Sequence, residues 1–320
     1  MIIEQDTKCH ALQDRIQSGQ VLILDGGLST ALEQQGFVLR GKLWTAAVLL
    51  SDPGVIRKIH FTWLESGAQI VTTSSYQASL QGFADHGLSM ARARETLLLS
   101  SRLALEARNQ FESLSPSSAQ PLVAASIGPY GAFLADGSEY SGDYLVSEQQ
   151  LEDFHAERLF LLDQSGVDVL ACETIPNLLE ARVLSRLLLK VKTPAWVSFC
   201  CRNNHQISDG TAVAEAAALF SKHPKVVAVG VNCTAPTHIS DLIEVLRQTA
   251  PLKAIVVYPN SGECYDAGSQ TWDAQGANGL TKNEWIQDAP QWRQLGASII
   301  GGCCRTTSLE ISQLARLLHS

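Results

Sequence analysis

The chain has 320 residues, with 24 Lys and Arg against 32 Asp and Glu, a net charge of −8 and 45% hydrophobic residues. That acidic balance excludes the electrostatic grip required by nucleic acids or anionic membranes, and no apolar run reaches the roughly 18 residues of a membrane span. Eight cysteines without a basic-then-apolar leader over Met1–Cys9 predict a reducing, cytoplasmic setting, where clustered thiols serve metals or catalysis.

Short β-rich runs alternate with segments of helical spacing along the chain. The first strand, Val21–Leu24, runs into Asp25-Gly26-Gly27, and a helix starts around Ser29 and Thr30. Asp52 followed by Pro53 reads as a cap with Pro at the first helical position, opening a helix over Pro53–Ser66 that stops at Gly67. Strand Gln69–Thr73 ends in Ser74-Ser75-Tyr76-Gln77 and precedes helix Ala91–Phe111; strand Leu122–Ser126 precedes helix Glu148–Ser165. Strand Val167–Cys172 delivers Glu173-Thr174 before helix Leu178–Lys190, and strand Ala195–Cys200 leads to helix Ala212–Lys222. Strand Val226–Val231 ends in Asn232-Cys233 before helix Ile239–Gln248, and strand Ala254–Tyr258 ends in Pro259-Asn260. Asn260–Gly279, which carries Trp272, is rich in Gly, Asp, Ser and Asn, lacks periodicity and reads as a long loop over the mouth of the fold. Strand Ala297–Ile300 runs into Gly301-Gly302-Cys303-Cys304, and helix Ser308–Leu318 follows.

Eight such strands predict one (β/α)₈ TIM-type barrel domain over residues 1–320, with 1–15 as a peripheral N-terminal segment, in preference to an open doubly wound sheet. In a barrel, chemistry sits where strands end at the C-terminal face. Polar and thiol groups gather at those ends here.

The sharpest feature is Gly301-Gly302-Cys303-Cys304 together with Cys233. Adjacent strand residues point to opposite faces, so both thiols reach one metal only if the backbone turns there, and the two glycines are expected to allow that turn. Three thiolates on one Zn²⁺ leave the fourth tetrahedral position for an incoming thiol. Against this stands the habit of cysteine to behave as a small buried hydrophobe, the reading taken for Cys9, Cys172 and Cys264. Cys200-Cys201 is a second adjacent pair without flanking glycines, so adjacency alone is weak evidence; a vicinal Cys303–Cys304 disulfide is the strained alternative. Asp25 reads either as support for a tight turn or as an anion for a substrate ammonium, and Glu173 either as a structural ion pair or as a second such anion. Amides near Ser29 and Thr30 offer a place for a carboxylate.

The strings LDGGLSTALE (Leu24–Glu33), LWTAAVLL (Leu43–Leu50), TTSSYQAS (Thr72–Ser79), SIGPYGA (Ser126–Ala132), LADGSEYSGDY (Leu134–Tyr144), ACETIPN (Ala171–Asn177), GVNC (Gly230–Cys233), VVYPNSGE (Val256–Glu263) and GGCCRTT (Gly301–Thr307) together resemble homocysteine S-methyltransferases. GVNC paired with GGCC is highly specific; DGG alone is weak. The resemblance implies a (β/α)₈ barrel with one Zn²⁺ per chain on Cys233, Cys303 and Cys304. It implies that Asp25 and Glu173 hold the homocysteine amino group, with Gly26, Gly27 and Asn232 expected on the substrate side. Leu134–Tyr144 and Tyr258–Glu263 resemble the bacterial, yeast and plant branch that uses S-methylmethionine, with S-adenosylmethionine secondary.

The implied reaction is methyl transfer from a sulfonium to the homocysteine thiolate, forming methionine. Its leaving group is a neutral thioether, so no general acid or base is assigned. Aromatic faces hold sulfonium cations, and Trp44, Tyr76, Tyr130 and Trp272 are the candidates. The competing readings are a betaine-dependent enzyme, a selenocysteine or other thiol methyltransferase, a zinc hydrolase, and a thiol-rich structural zinc protein. A cobalamin-dependent role is not expected, and oligomeric state is not legible.

Overall fold

Continuous apolar runs bounded by turn residues form strands that are buried on both faces. The computed structural model describes residues 11–39, 41–116, 119–262, 264–266, 271–273 and 284–319. Its parallel strands are β1 (Leu22–Ile23), β2 (Ile70–Thr72), β3 (Leu122–Ile127), β4 (Val169–Ile175), β5 (Ala195–Phe199), β6 (Val226–Asn232), β7 (Ala254–Tyr258) and β8 (Ala297–Ile300). The sheet runs β1-β8-β7-β6-β5-β4-β3-β2, and a parallel bridge from Leu24 to Ile70 joins its two ends. Gln69 N donates to Ile23 O at 2.8 Å and Asp25 N donates to Ile70 O at 3.1 Å. The sheet is thus a barrel without a free edge, as expected, and each expected strand is present within a few residues of its bounds.

Alternate residues divide the core. Leu24, Ile70, Ala124, Ala171, Trp196 and Ala228 face inward, whereas Ile23, Val71, Val123, Val197 and Ile300 belong to the larger cluster under the helices. Alanines around Trp196 make room for the largest side chain of the interior, which is how a narrow barrel reaches crystal-like density. Residues 11–17 are helical, and Leu12 joins the inward cluster, so the described part of the N-terminal segment supplies a plug for the barrel.

Helix Pro53–Glu65 has the expected cap, with Val55 N donating to Asp52 Oδ1 at 3.3 Å, and helix Glu148–Asp163 opens on a Ser147–Gln150 capping box. Among the described residues four short α-helices, Val48–Ser51, Leu80–Asp85, Tyr130–Leu134 and Ala289–Leu295, escape the sequence reading. Each is at most two turns long, too short to display a helical period. The segment read as an unstructured loop over Asn260–Gly279 instead contains an antiparallel pair, Cys264–Asp266 with Thr271–Asp273. Trp272 lies on that pair with its side chain outside the described residues, as does the Cys264 side chain, and Cys9 is also outside them. Among the described residues no helix is long and apolar enough to cross a membrane.

The spacing of β6 and β7 depends on Gly230. A Cβ there would sit 1.8 Å from the Val256 carbonyl oxygen, a clash with backbone that no rotamer relieves. Gly230→Ala is expected to cost about 3 kcal/mol, the upper range for forced overpacking, read as a lower urea midpoint. An unchanged midpoint would refute the tight spacing.

Candidate active site and metal centre

One chamber at the C-terminal ends of the strands is lined by Asp25, Gly26, Gly27, Trp44, Tyr76, Glu173, Asn232, Cys233, Cys303 and Cys304, all expected from the sequence, and also by Tyr140 and Tyr258. Asp25 leaves β1 into the chamber. Its carboxylate accepts the Thr72 amide at 2.7 Å and the Thr72 hydroxyl at 3.1 Å. Burial, followed by the nearby Glu173 charge, pushes its carboxyl well above the ordinary carboxylate range.

Glu173 lies near the end of β4. It accepts hydrogen bonds from Ser126 Oγ and, at 2.9 Å, from the Tyr258 hydroxyl. Burial raises its carboxyl, while those two bonds pull it back. No arginine pairs with it among the described residues, so the ion-pair reading of Glu173 finds no support. Asn232, at the end of β6, accepts Thr174 N at 2.7 Å and Ser198 Oγ at 2.8 Å, and donates to Thr174 Oγ1 at 2.7 Å. It lines the chamber, but most of its side-chain capacity braces the turn after Glu173.

The thiols converge as the spacing predicts. Cys233, Cys303 and Cys304 have Sγ atoms within 4.8 Å of one another, with Cys233 to Cys304 at 3.6 Å and Cys303 to Cys304 at 3.9 Å. Tetrahedral zinc with Zn–S bonds of about 2.3 Å separates its sulfurs by roughly 3.8 Å, so these two separations suit the ion. Cys233 and Cys303 are closer still and form a disulfide. The pairing is thus between distant cysteines and not the vicinal one. A metal on all three sulfurs requires that bond to be reduced.

The glycines work differently from the expectation. Neither Gly301 nor Gly302 takes a positive φ; they provide clearance instead. A Cβ on Gly301 would lie 2.6 Å from Leu24 Cβ, and one on Gly302 would lie 2.3 Å from Thr306 Cγ2. Gly26 and Gly27 answer from the other side, where a Cβ would meet Thr306 O at 2.8 Å and Cys303 O at 2.7 Å. Strain is concentrated in the same place, because Trp44, Thr174, Cys233 and Arg305 hold φ values of 44°, 61°, 47° and 66°. Each such residue costs on the order of 1–3 kcal/mol and persists where its surroundings over-determine it.

The aromatic wall differs from expectation in its members. Trp44 and Tyr76 line the chamber. Tyr130 does not: its ring packs against Phe154 at 5.0 Å, Phe133 at 5.5 Å and Tyr144 at 5.7 Å, because its short helix turns the ring toward helix Glu148–Asp163. Tyr140 takes that place and hydrogen-bonds Cys304, whose thiol burial pushes up to about 12 despite this bond. Tyr140 stands within the Leu134–Tyr144 string and Tyr258 at a strand end; both positions were visible in the sequence.

Three cysteine sulfurs and two carboxylates at the mouth of a (β/α)₈ barrel make a site suited to thiol chemistry. The sequence matches the homocysteine S-methyltransferase family profile over residues 22–318, and the chain belongs to that family. Homocysteine S-methyltransferase YbgG of Bacillus subtilis (strain 168) is 43% identical over 314 residues, covering 97% of this chain and 98% of the relative. The metallated form of the homocysteine methyltransferase MmuM from Escherichia coli superposes with a TM-score of 0.85 at 39% identity, over 97% of this chain and 99% of that one. Its oxidised form matches with the same figures.

A carboxyl raised on folding favours the folded chain at low pH and loses that advantage as pH rises through its folded value. Glu173→Gln removes the cost of ionisation. In the metal-free chain its melting temperature relative to the parent is therefore expected to rise between pH 5 and pH 8. A constant or falling difference would show that Glu173 is not held against its charge.

Proposed function

We propose that the chain catalyses zinc-dependent methyl transfer from S-methylmethionine, with S-adenosylmethionine as a secondary donor, to the sulfur of L-homocysteine. The carrying observation is the meeting of three cysteine sulfurs in the chamber that also holds Asp25 and Glu173. Cys233, Cys303 and Cys304, once reduced, are the residues that would hold one zinc ion. Zinc, when bound, keeps the homocysteine sulfur ionised at neutral pH.

Ionisation is the smaller contribution. A free thiol with a pKa near 8.5 is a few per cent ionised, so full ionisation gains about 30-fold, roughly 2 kcal/mol. Holding sulfur and methyl in line contributes on the order of 7–11 kcal/mol in favourable cases. That task falls to the chain's own residues. Asp25 and Glu173 take the homocysteine ammonium, whose positive charge repays the cost of ionising two buried carboxyls. Gly26 and Gly27 lead to the amides at the start of helix Leu28–Gln34, which face the carboxylate. Asn232 acts on the substrate side by fixing Thr174 and with it Glu173.

The sulfur lone pair attacks the methyl carbon, and the carbon–sulfur bond of the donor breaks with its electrons on the departing thioether. No proton is needed at that sulfur, so no general acid or base is assigned. Attack cancels the sulfonium charge against the thiolate, and the Trp44 and Tyr76 faces hold the cation without supplying competing hydrogen bonds.

The reduced chain is expected to bind one zinc and to form methionine from homocysteine and S-methylmethionine, losing turnover on chelation and regaining it on zinc addition. Turnover that survives exhaustive chelation would end the zinc reading, and Cys304→Ser should fail to retain the ion by metal analysis. Trp44→Leu and Tyr76→Leu are each expected to raise the donor KM about fivefold, from a cation–π loss of ~1 kcal/mol; unchanged donor kinetics in both would remove the aromatic role.

A further inference from the structure

A second cavity, which the proposed reaction leaves unused, opens beside the thiol chamber. It holds ≈ 500 Å³ and is lined by the run Tyr140–Asp143 and by Arg202, Ser208 and Asp209. Tyr140 also lines the chamber, so the two spaces share that residue as a wall and lie no further apart than its length.

Hydrogen bonds tie the cavity to the turns that carry the site. Ser208 Oγ donates to Cys200 O at 3.1 Å, and Cys200 Sγ donates to Cys233 O at 3.5 Å. Cys201 N donates to Thr234 Oγ1 at 3.0 Å. Beyond Glu173, Asp209 N donates to Pro176 O at 3.0 Å. Gly142, with φ at 70°, lets the Tyr140–Asp143 run press onto the same turn, since a Cβ there would lie 2.8 Å from Pro176 O and 3.2 Å from Asp209 Cβ. The cavity is therefore built on the turns that follow Glu173 and Cys233, and its place relative to both is fixed.

Its charged groups are unequally engaged. Asp209 spends its carboxylate on backbone, accepting Leu178 N at 2.9 Å and Thr211 N at 2.8 Å. The side chains of Asp143 and Arg202 are exposed and have no hydrogen-bond or ionic partner among the described residues, and they do not pair with each other. No Arg, Lys or His lines the chamber, so Arg202 is the one cation among the described residues lining either space.

We propose that this cavity is the subsite for the amino-acid end of the methyl donor, with Arg202 receiving its α-carboxylate and Asp143 its α-ammonium. The sulfonium of S-methylmethionine is served by the aromatic faces of the chamber, and Asp25 and Glu173 are committed to homocysteine. The donor's remaining carboxylate and ammonium sit on one carbon. A cation and an anion that share a cavity without pairing suit such a zwitterion, because the guanidinium fork matches a carboxylate and the Asp143 oxygens accept from an ammonium. S-adenosylmethionine presents the same end, so one subsite serves both donors. These contacts are remote from the bonds that change, are equal in ground and transition states, and belong in KM.

This inference rests on the proposed function. Its test is Arg202→Gln and Asp143→Asn, made separately in the reduced, zinc-loaded enzyme. The donors are S-methylmethionine and its carboxamide, which keeps the sulfonium and the ammonium but has no carboxylate. Each variant is expected to raise the S-methylmethionine KM about fivefold, the loss of one charge-assisted bond at an exposed position, with kcat within about twofold. Zinc content and the homocysteine KM should be unchanged, and calorimetry should show the same loss in S-methylmethionine binding. With the carboxamide, Arg202→Gln should cost nothing further, whereas Asp143→Asn should cost as much as before. Unchanged S-methylmethionine KM and binding in either variant, or an Arg202→Gln loss as large with the carboxamide as with S-methylmethionine, overturns the subsite. A parent enzyme that forms no methionine from S-methylmethionine overturns the functional reading itself, which is a separate outcome.

Discussion

The geometry at the mouth depends on the approach of two backbones: the turn leaving β1 and the turn leaving β8. Gly302 N donates to Asp25 O at 3.1 Å and Gly27 N donates to Thr306 O at 3.0 Å, and this mutual embrace fits because four glycines stand where any side chain would collide. The same contact closes the barrel seam, delivers Asp25 to Thr72 and sets Cys303 and Cys304 beside Cys233. Cys303 N donating to Pro259 O at 2.7 Å and Ser261 N donating to Cys304 O at 3.1 Å extend the lattice to the end of β7. Fold closure and thiol convergence are therefore one structural event.

Much of this was legible before any coordinates. Strands β7 and β8 match their expected bounds to the residue, because Ala254–Tyr258 is an apolar run stopped by Pro259 and Ala297–Ile300, interrupted only by Ser298, lies between Gly296 and Gly301. The thiol cluster was legible for a different reason, since strand ends in a barrel share one face whatever their separation in the chain. The direction of a side chain on a short irregular element is what a string of residues conceals. Tyr130 and Tyr140 lie in neighbouring motifs with similar composition, and tertiary packing against Phe154 decides which of the two faces the thiols. The glycines before Cys303 illustrate a related limit, for a glycine required by a neighbouring backbone looks the same in sequence as one required by its own dihedral angles.

Strain and burial at the mouth share a logic. Left-handed backbone at Thr174 and Cys233 and carboxyls raised at Asp25 and Glu173 each cost stability in the ligand-free chain at neutral pH. A cation bound beside the two carboxylates would relieve the electrostatic part of that cost. The surrounding barrel, close-packed around Trp196, supplies the rigidity that keeps the strained residues from relaxing.

The hydroxyl of Tyr258 deserves to be seen as a junction. Inward it meets the indole of Trp196 at 3.2 Å and Ser198 Oγ at 2.7 Å, and outward it donates to Glu173. A phenol gives away a single proton, so its donation to Glu173 obliges the indole to donate to it in turn and leaves the one Ser198 proton to serve either the phenol oxygen or Asn232 Oδ1. The polarity of this relay is thereby set from the middle of the barrel. Drift in the interior layer, ordinarily tolerated so long as volume is conserved, is consequently visible to the Glu173 carboxylate above it, and the freedom of Trp196 to vary ends where its N–H is needed.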